Sequence, residues 1–282
     1  MRWIIEPDVS TFAARVLPWL ETDPVPNNLI CTLVAARASG AQEPEAGCLW
    51  AWLDAGDGQV GAVVLRTPPY PLAVGALPPG SAELLFEALS EHDSHAVPGF
   101  SGRPQSVAAL AAVWTGHGWP EPELHMAMGM YELTAVKNPS APGRFRAATE
   151  ADLPLLTSWM TAFHADLREP LDAATIEATA RIRLPRIGLW EDGGQPVSTA
   201  LSLPPAAGVA RIGAVYTPPE QRRHGYASAV TAAVSQRALD SGAHTCMLYT
   251  DLANPTSNAI YQAIGYRRIG DSEVRRFPAA EF

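Results

Sequence analysis

Short matches recur in the same order in the two halves of this sequence, and they constrain its fold more than any other feature. A Gly-Gln pair at 58–59 recurs at 194–195, and a Pro-Pro pair at 68–69 recurs at 204–205, both at an offset of 136 residues. An ordered set of such matches predicts an internal duplication, and hence two units of one fold. Later matches in the same order are Gly75-Ala76-Leu77 with Gly213-Ala214-Val215, Pro104-x-Ser106 with Pro255-x-Ser257, and Gly118-Trp119 with Gly265-Tyr266.

A boundary between the two units is predicted by the densest polar and Pro/Gly cluster between apolar regions, Lys137 to Gly143. Such a cluster is typical of a linker. We therefore expect an N-terminal domain at 1–138, a linker at 139–143 and a C-terminal domain at 144–282.

The C-terminal half predicts a mixed α/β fold. Strands are expected first, followed by a β-α-β-α-β order. Because the matches extend through both halves, the predicted fold class is α/β (α+β) with two similar domains, each a mostly antiparallel sheet flanked by helices. The predicted strands and helices are a strand from Arg144, a helix through Leu155 to Phe163, a hairpin of 186–190 with 197–203, a strand at 209–216, a helix at 226–241, a strand at 245–250, a helix at 257–264 and closing strands at 266–270 and 273–277.

A glycine-containing loop, Gln221 to Ala227, directly precedes the predicted helix at 226–241. Gly225 lets backbone N–H groups approach a phosphate closely, and the start of a helix adds free N–H donors and the positive end of its dipole. Arg222, Arg223 and His224 add charge-assisted donors. The loop therefore indicates a phosphate cradle, although a polar turn entering a helix has the same residues.

A second motif follows this loop: Asn254-Pro-Thr-Ser257-Asn258-Ala-Ile-Tyr261-Gln-Ala-Ile-Gly265-Tyr266. Together, the two motifs resemble the acyl-CoA site of the GNAT N-acetyltransferase superfamily. The loop is similar to that family's pyrophosphate loop, with Arg222, Gly225 and Ala227 in register. The second segment is similar to its Asn-x-x-Ser/Asn-x-x-Tyr-x-x-x-Gly-Phe/Tyr signature. The resemblance covers about 144–270 and implies acyl-CoA as a substrate, acetyl-CoA first, and no metal.

Tyr261 stands where the resemblance implies a general acid. A thiol has a pKa of about 8.5 and a phenol about 10, so a positioned tyrosine can donate to the departing CoA sulfur. The alternative is an ordinary core tyrosine on one face of a short helix.

Further contacts to acyl-CoA are implied by the same resemblance. The edge of the strand ending near Tyr216 can pair with the pantetheine amides through its backbone. Asn254, Ser257 and Asn258 are also candidates, with turn formation and helix capping as their alternative roles. The full predicted set of acyl-CoA contacts is Val215, Tyr216, Thr217, Arg222, Arg223, His224, Gly225, Tyr226, Ala227, Asn254, Ser257 and Asn258.

No general base can be assigned from the sequence. Asp251, at the end of the strand predicted to line the cleft, is the first candidate. Glu191, His164 and Glu169 are candidates by position only. A water relay, or an amine that arrives neutral, needs no base residue.

The N-terminal half aligns with the C-terminal half but lacks these residues. Where the loop should recur it has Pro79-Gly80-Ser81-Ala82-Glu83-Leu84, with no arginine and with a carboxylate that would repel phosphate. Leu110 falls at the position of Tyr261. We therefore expect a degenerate copy.

Charge and cysteine content exclude several classes of protein. The net charge of −9 argues against a nucleic-acid partner, which needs a basic surface. The three cysteines are far apart, and no metal-ligand spacing occurs. No apolar run is long enough for a membrane span, and the first residues lack the apolar segment of a signal peptide. A cytoplasmic location is therefore expected.

The sequence thus predicts an N-acyltransferase that moves an acetyl or other acyl group from acyl-CoA to a primary amine. A non-catalytic acyl-CoA-binding module and an aminoacyl-tRNA-dependent transferase of related fold remain alternatives. The acceptor, either a small-molecule or a peptide amine, and the oligomeric state stay open.

Overall fold

The computed structural model describes residues 1–92, 95–167 and 171–278, and its chain forms two compact units. Unit 1 contains residues 1–130, 251–253 and the chain from Gly270 onward. Unit 2 contains residues 131–250 and 254–269.

This division corrects the predicted boundaries of 1–138, 139–143 and 144–282. Tyr131 and Leu133 are buried in the core of unit 2, so that unit begins before the Pro/Gly cluster. Residues 273–276 pair with a strand of unit 1, so the C-terminal end of the chain returns there. Composition located a polar Pro/Gly segment, but long-range strand pairing decided which residues belong together.

The elements of unit 1 form a mixed α/β arrangement. Their bounds are β1 Arg2–Ile5, α1 Val9–Leu20, α2 Asn28–Ala38, β2 Leu49–Asp54, β3 Val60–Arg66, β4 Leu72–Val74, α3 Ser81–Glu91, β5 Gly99–Gly102 and α4 Pro104–Gly116, followed by β6 Glu123–Leu133, which continues into unit 2.

Unit 2 has the same arrangement, and its fourth and fifth strands have 8 and 7 residues against 3 and 4 in unit 1. Its bounds are β7 Arg144–Ala147, α5 Leu153–Asp166, α6 Ala173–Arg183, β8 Ile187–Asp192, β9 Gln195–Ser202, β10 Val209–Tyr216, α7 Tyr226–Asp240, β11 Thr245–Asp251 and α8 Pro255–Ala263, followed by β12 Arg267–Arg276, which continues into unit 1.

Strand pairing follows the same order in each unit. In unit 1, β1, β2, β3 and β4 pair antiparallel in sequence, β4 pairs parallel with β5, and β5 pairs antiparallel with the end of β12. In unit 2, β7, β8, β9 and β10 pair antiparallel in sequence, and β10 pairs parallel with β11. The predicted mixed, mostly antiparallel α/β fold is confirmed.

Helices cover both faces of the sheet in unit 2. One face buries Ala200, Ala210 and Ile212 against α7 and α8. The other buries Leu189 and Leu201 against α5 and α6. Successive residues of a strand point to opposite faces of the sheet, and in these strands both sets of residues are apolar. Each face therefore needs a layer of helices to cover it.

The first helix of unit 2 begins at a capping box. Asp152 accepts hydrogen bonds from the backbone N and Oγ1 of Thr149 at 2.7 and 2.9 Å. Arg146 holds the same carboxylate with two nitrogens, each at 2.7 Å. The sequence predicted Thr149 as the cap and an acidic first turn, and both are confirmed.

Some element predictions needed correction. The predicted closing strands at 266–270 and 273–277 form the single strand β12. Helix α6 was not predicted, because its sequence is rich in alanine and carries few large apolar residues. No described helix is long and apolar enough to cross a membrane.

Candidate functional site

The loop between β10 and α7 has a strained, open backbone. A short 3-10 turn over Pro219–Gln221 follows β10, after which Arg223 has φ 72° and Gly225 has φ 83°. Gly225 is the N-cap of α7. The left-handed region costs glycine little, and so Gly225 sets the angle at which the chain enters the helix.

Six consecutive backbone N–H groups, from Arg223 to Ser228, have no acceptor among the described residues. The next amide, that of Ala229, bonds to the Gly225 carbonyl at 3.0 Å and starts the helical ladder. Free donors of this kind, together with the positive end of the helix dipole, form an anion-binding site. A Cβ placed on Gly225 would lie 3.5 Å from the Cβ of Ala141 and would fill part of this space.

The charged side chains of the loop have different roles. Arg222 braces the loop, because its Nε donates to the carbonyl of Thr217 at 3.0 Å and its Nη2 lies 3.6 Å from Asp166. Arg223 and His224 are exposed. The positive charges available beside the free N–H groups are therefore those of Arg223 and, less directly, Arg222.

Tyr226 contributes to the predicted cradle through its backbone only. Its side chain is buried, and its hydroxyl donates to Asp192 at the end of β8. The ring of His224 stacks on it at a centroid distance of 5.4 Å. Ala227, one residue further on, supplies another free N–H.

The edge of β10 opens next to this loop. Parallel pairing joins Val209–Arg211 to Thr245–Met247, and no ladder pair in the described chain joins the later residues of β10 to β11. A bulge lies between Gly213 and Tyr216, with Ala214 at φ 49°. Backbone groups in such an opening can pair with an extended ligand.

Parts of the predicted strand-edge contact are already used within the protein. The Tyr216 carbonyl accepts a hydrogen bond from Ser198 Oγ at 3.1 Å. The Thr217 hydroxyl lies 2.8 Å from Ser198 Oγ. The Thr217 carbonyl is taken by Arg222. Val215, half-buried in the bulge, is therefore the residue of this trio whose backbone best fits the predicted role.

Tyr261 lies on α8 and is 8% exposed. Its hydroxyl makes no hydrogen bond to the described residues, and its ring packs edge-on to Tyr266 at 6.1 Å. Burial raises the pKa of Tyr261 to about 12, so the phenol is protonated at neutral pH. It is a donor without a partner, as the predicted role requires, in a setting that also suits a core tyrosine.

The polar residues of α8 form a network that fixes the helix. Asn254 caps it, with Oδ1 accepting from the Ser257 N–H at 3.0 Å. Asn258 donates to the Asn254 carbonyl at 2.7 Å and accepts from the Tyr131 hydroxyl at 2.9 Å. These contacts are the capping roles that the sequence left as the alternative. Tyr131 was missed, because a buried tyrosine in a strand carries no signal for such a contact.

The candidate bases are dispersed. Asp251 belongs to unit 1, and its Oδ1 accepts from the Ala253 N–H at 2.8 Å. Glu191 is 9% exposed and pairs with Arg144 and Arg146, which hold its pKa below the ordinary value. His164 lies on α5, and Glu169 falls outside the described residues. The structure therefore gathers none of these carboxylates around Tyr261 within unit 2.

Unit 2 also contains a cavity of about 80 Å³ between α5, α6 and the sheet. It reaches Ala214 in the β10 bulge. The residues that line the cavity are Leu156, Met160, His164, Leu171, Ile176, Thr179, Ala180, Arg183, Ile187, Thr199, Leu201 and Ala214.

The described residues hold no group of three or more His, Cys, Asp or Glu side chains placed for a metal ion.

Comparison with known proteins agrees with these features. The family model described as FR47-like protein matches residues 203–276, a segment that contains both the loop and Tyr261. A search of curated protein sequences finds no match.

Solved structures resemble nearly the whole chain. A Drosophila protein superposes with a TM-score of 0.70 at 16% identity, covering 98% of this chain and 99% of that one. A GCN5-related N-acetyltransferase from Sphaerobacter thermophilus gives 0.64 at 17%, covering 100% and 98%. An acetyltransferase from the GNAT family of Colwellia psychrerythraea gives 0.65 at 12%, covering 99% and 100%.

These identities establish a shared fold rather than a shared substrate. The FR47-like match covers residues 203–276, less than half of the chain, and the solved structures show that nearly the whole chain has the fold of GNAT-family acetyltransferases.

Proposed function

We propose that this protein transfers an acyl group, acetyl in the first instance, from acyl-CoA to a primary amine, and that unit 2 holds the acyl-CoA. The observation that carries the proposal is the run of six free backbone N–H groups from Arg223 to Ser228. Six donors without acceptors are what a pyrophosphate would satisfy, and Arg223 adds a positive charge beside them.

The β10 bulge supports the same assignment. An acyl-CoA whose phosphates lie at the start of α7 would run its pantetheine arm along the β10 edge, where Val215 lies outside the ladder pairs. The bound thioester supplies an activated acyl group. Among the predicted contacts, Tyr226 and Ala227 act through their backbone. Arg222, Asn254, Ser257 and Asn258 position the two helices that frame the site.

In the proposed reaction the neutral amine attacks the thioester carbonyl, the C–S bond breaks, the nitrogen of the new amide loses a proton to water, and the sulfur takes a proton. Tyr261 would donate a hydrogen bond to the departing sulfur. A pKa of about 12 lies about 3.5 units above that of a thiol, so complete proton transfer would cost about 5 kcal/mol. Tyr261 therefore acts better as a hydrogen-bond donor than as a full acid, and water completes the proton transfer.

Unit 1 is proposed to be a degenerate copy that has kept its fold without an acyl-CoA site. Its loop has Glu83 in the first turn of α3, paired with His117 at 2.6 Å, and Leu110 at the position of Tyr261.

The test is a thiol-release assay with acetyl-CoA and a panel of amines, run beside calorimetric titration with acetyl-CoA. Thiol release that depends on both substrates supports the transferase. Acetyl-CoA binding without release by any amine would support the non-catalytic binding module instead, and no binding at all would refute the site.

A further inference from the structure

The cavity in unit 2 lies beside the proposed reaction site. Ala214 is one of its lining residues and is adjacent to Val215, whose backbone is proposed to contact the acyl-CoA. An acceptor amine that reaches the thioester from the α5–α6 side of the sheet would therefore place its remaining atoms in this cavity.

The volume of the cavity limits what it can hold. At about 80 Å³ it is about half the size of an engineered cavity that binds benzene. Most of its lining is aliphatic, from α5, α6 and strands β8 and β9. A short alkyl group fits this space, whereas a sugar ring or a long polyamine does not.

The lining of the cavity includes one arginine side chain, that of Arg183, among the described residues. A second arginine, Arg211, lies on the same face of the sheet. Gly213 is directly opposite the lining residue Leu201, and alternate residues of a strand share a face, so Arg211 points to the side covered by α5 and α6.

The guanidinium of Arg211 makes no hydrogen bond or ion pair with the described residues, although the side chain is partly buried. Burial lowers the pKa of Arg211, Tyr249 opposes that shift, and the charge of Arg183 adds to it. Buried charges in proteins are normally paired, because desolvation is costly. An arginine without an acidic partner, on the face of the sheet that carries the cavity, therefore points to an anion that arrives with the substrate.

We propose that the acceptor is a small aliphatic amine that also carries a carboxylate, which Arg211 binds. The proposal rests on the proposed acyltransferase function and narrows its acceptor class. It disfavours polyamines and aminoglycoside-like amines, whose extra positive charges would face Arg211.

The first experiment compares matched acceptors in the acetyl-CoA thiol-release assay. The carboxylates are alanine, 4-aminobutyrate and 6-aminohexanoate. The controls are propylamine, the methyl ester of 4-aminobutyrate, and spermidine. We expect kcat/KM for the best carboxylate to exceed that of each control at least tenfold. Equal or faster turnover of spermidine or of the ester would overturn the proposal.

The second experiment uses the variants Arg211→Gln and Arg211→Lys, with Arg267→Gln as the control. Arg267 is 78% exposed, pairs with Glu132, and matches the loss of one charge in the same unit. We expect Arg211→Gln to raise KM for the carboxylate at least tenfold and to change kcat/KM for propylamine less than threefold. Arg211→Lys should recover part of the loss, and Arg267→Gln should behave as wild type.

A structural role for Arg211 predicts a different result. It would lower turnover of the carboxylate and of propylamine alike and would reduce thermal stability, and that outcome would overturn the proposal. If no amine is acetylated, calorimetry of 4-aminobutyrate with CoA-loaded protein separates the two ideas. Binding that Arg211→Gln weakens at least tenfold supports the carboxylate site without the transferase, and absence of binding refutes it.

Discussion

The two units of this chain share a framework, and they differ at a few side chains. Helices α3 and α7 both begin after a glycine in the left-handed region, Gly80 at φ 78° and Gly225 at φ 83°. Helices α4 and α8 both begin with proline, and the residue six positions later is Leu110 in one and Tyr261 in the other. Both of these side chains are buried.

The loops before α3 and α7 show where the units diverge. Two prolines precede Gly80 and supply no N–H, and the Ser81 amide is already bonded to the Pro78 carbonyl at 3.2 Å. Glu83 in the first turn of α3 carries a negative charge close to the remaining donors and pairs with His117. In unit 2 the corresponding donors are free, and their neighbours are arginines. A glycine N-cap thus gives both loops the same backbone conformation at the start of the helix. The neighbouring side chains decide whether the N–H groups of that loop can bind an anion.

The largest expected effect concerns Tyr261 and its counterpart, Leu110. Tyr261→Phe keeps the ring and removes the donor, and loss of one positioned acid typically costs about 10²–10⁴-fold in rate. We expect kcat to fall at least tenfold while acetyl-CoA affinity changes less than about threefold, measured by steady-state kinetics and calorimetry.

The control for this variant is Tyr266→Phe. Tyr266 is a nearby buried tyrosine whose hydroxyl lies 2.8 Å from Ser235 Oγ. It should lose stability but keep kcat. An unchanged kcat for Tyr261→Phe, with chemistry shown to be rate-limiting, would show that Tyr261 is an ordinary core residue with no role in the reaction.

The next effect concerns the first helix of each unit. Arg146 lowers the pKa of Asp152 to about 2 from 3.8, so this contribution to stability is present above pH 4 and is lost as the pH falls towards 2. It amounts to at most about 2 kcal/mol, and solvent screening reduces it. Asp152→Asn should therefore destabilise the protein to urea at pH 7, with the difference from wild type shrinking below pH 4.

Asp8, the N-cap of α1, is the matched residue of unit 1. It bonds the Thr11 amide at 2.7 Å but is exposed and has no arginine partner. Asp8→Asn should have the smaller effect, because asparagine also caps helices. Equal losses for the two variants would show that the Arg146 pair adds nothing to the stability of unit 2.

Glycine substitution tests the two loops directly. Gly225→Val puts a branched side chain where the free N–H groups converge, and acetyl-CoA affinity should weaken at least tenfold, about 1.4 kcal/mol. Gly80→Val introduces the same backbone strain, since the two φ angles differ by only a few degrees. It should reduce thermal stability similarly without affecting acetyl-CoA binding. Unchanged affinity in a folded Gly225→Val protein would refute the cradle.

The smallest expected effect concerns the number of CoA molecules bound per chain, which we expect to be the same in the wild type and in a unit 1 variant. Titration should saturate at one CoA per chain, because unit 1 has Glu83 and Leu110 where unit 2 has the loop and Tyr261. Glu83→Gln should leave this value at one, since the prolines and the missing arginines remain. Two CoA molecules per chain, in either protein, would overturn the view of unit 1 as a degenerate copy.

Much of the fold was readable from local sequence, because caps and turns act over a few residues. Strand β10 was predicted at its observed bounds, and the cap at Thr149 was confirmed. Gly225 was predicted to precede a helix, and it does. Helix α6 was not readable, because its stability depends on packing against α5 rather than on a strong pattern of its own.

The sequence by itself determined the mixed α/β fold, the order of most elements in the C-terminal half and the two motifs that resemble a GNAT acyl-CoA site, since these depend on local periodicity, glycine positions and residue identity. Only the tertiary structure decided the limits of the units, the contact of Tyr131 with Asn258, and the placement of Arg211 on the face of the sheet that carries the cavity. Each of these depends on strand pairing between residues distant in sequence, and a single sequence does not specify which distant strands will pair.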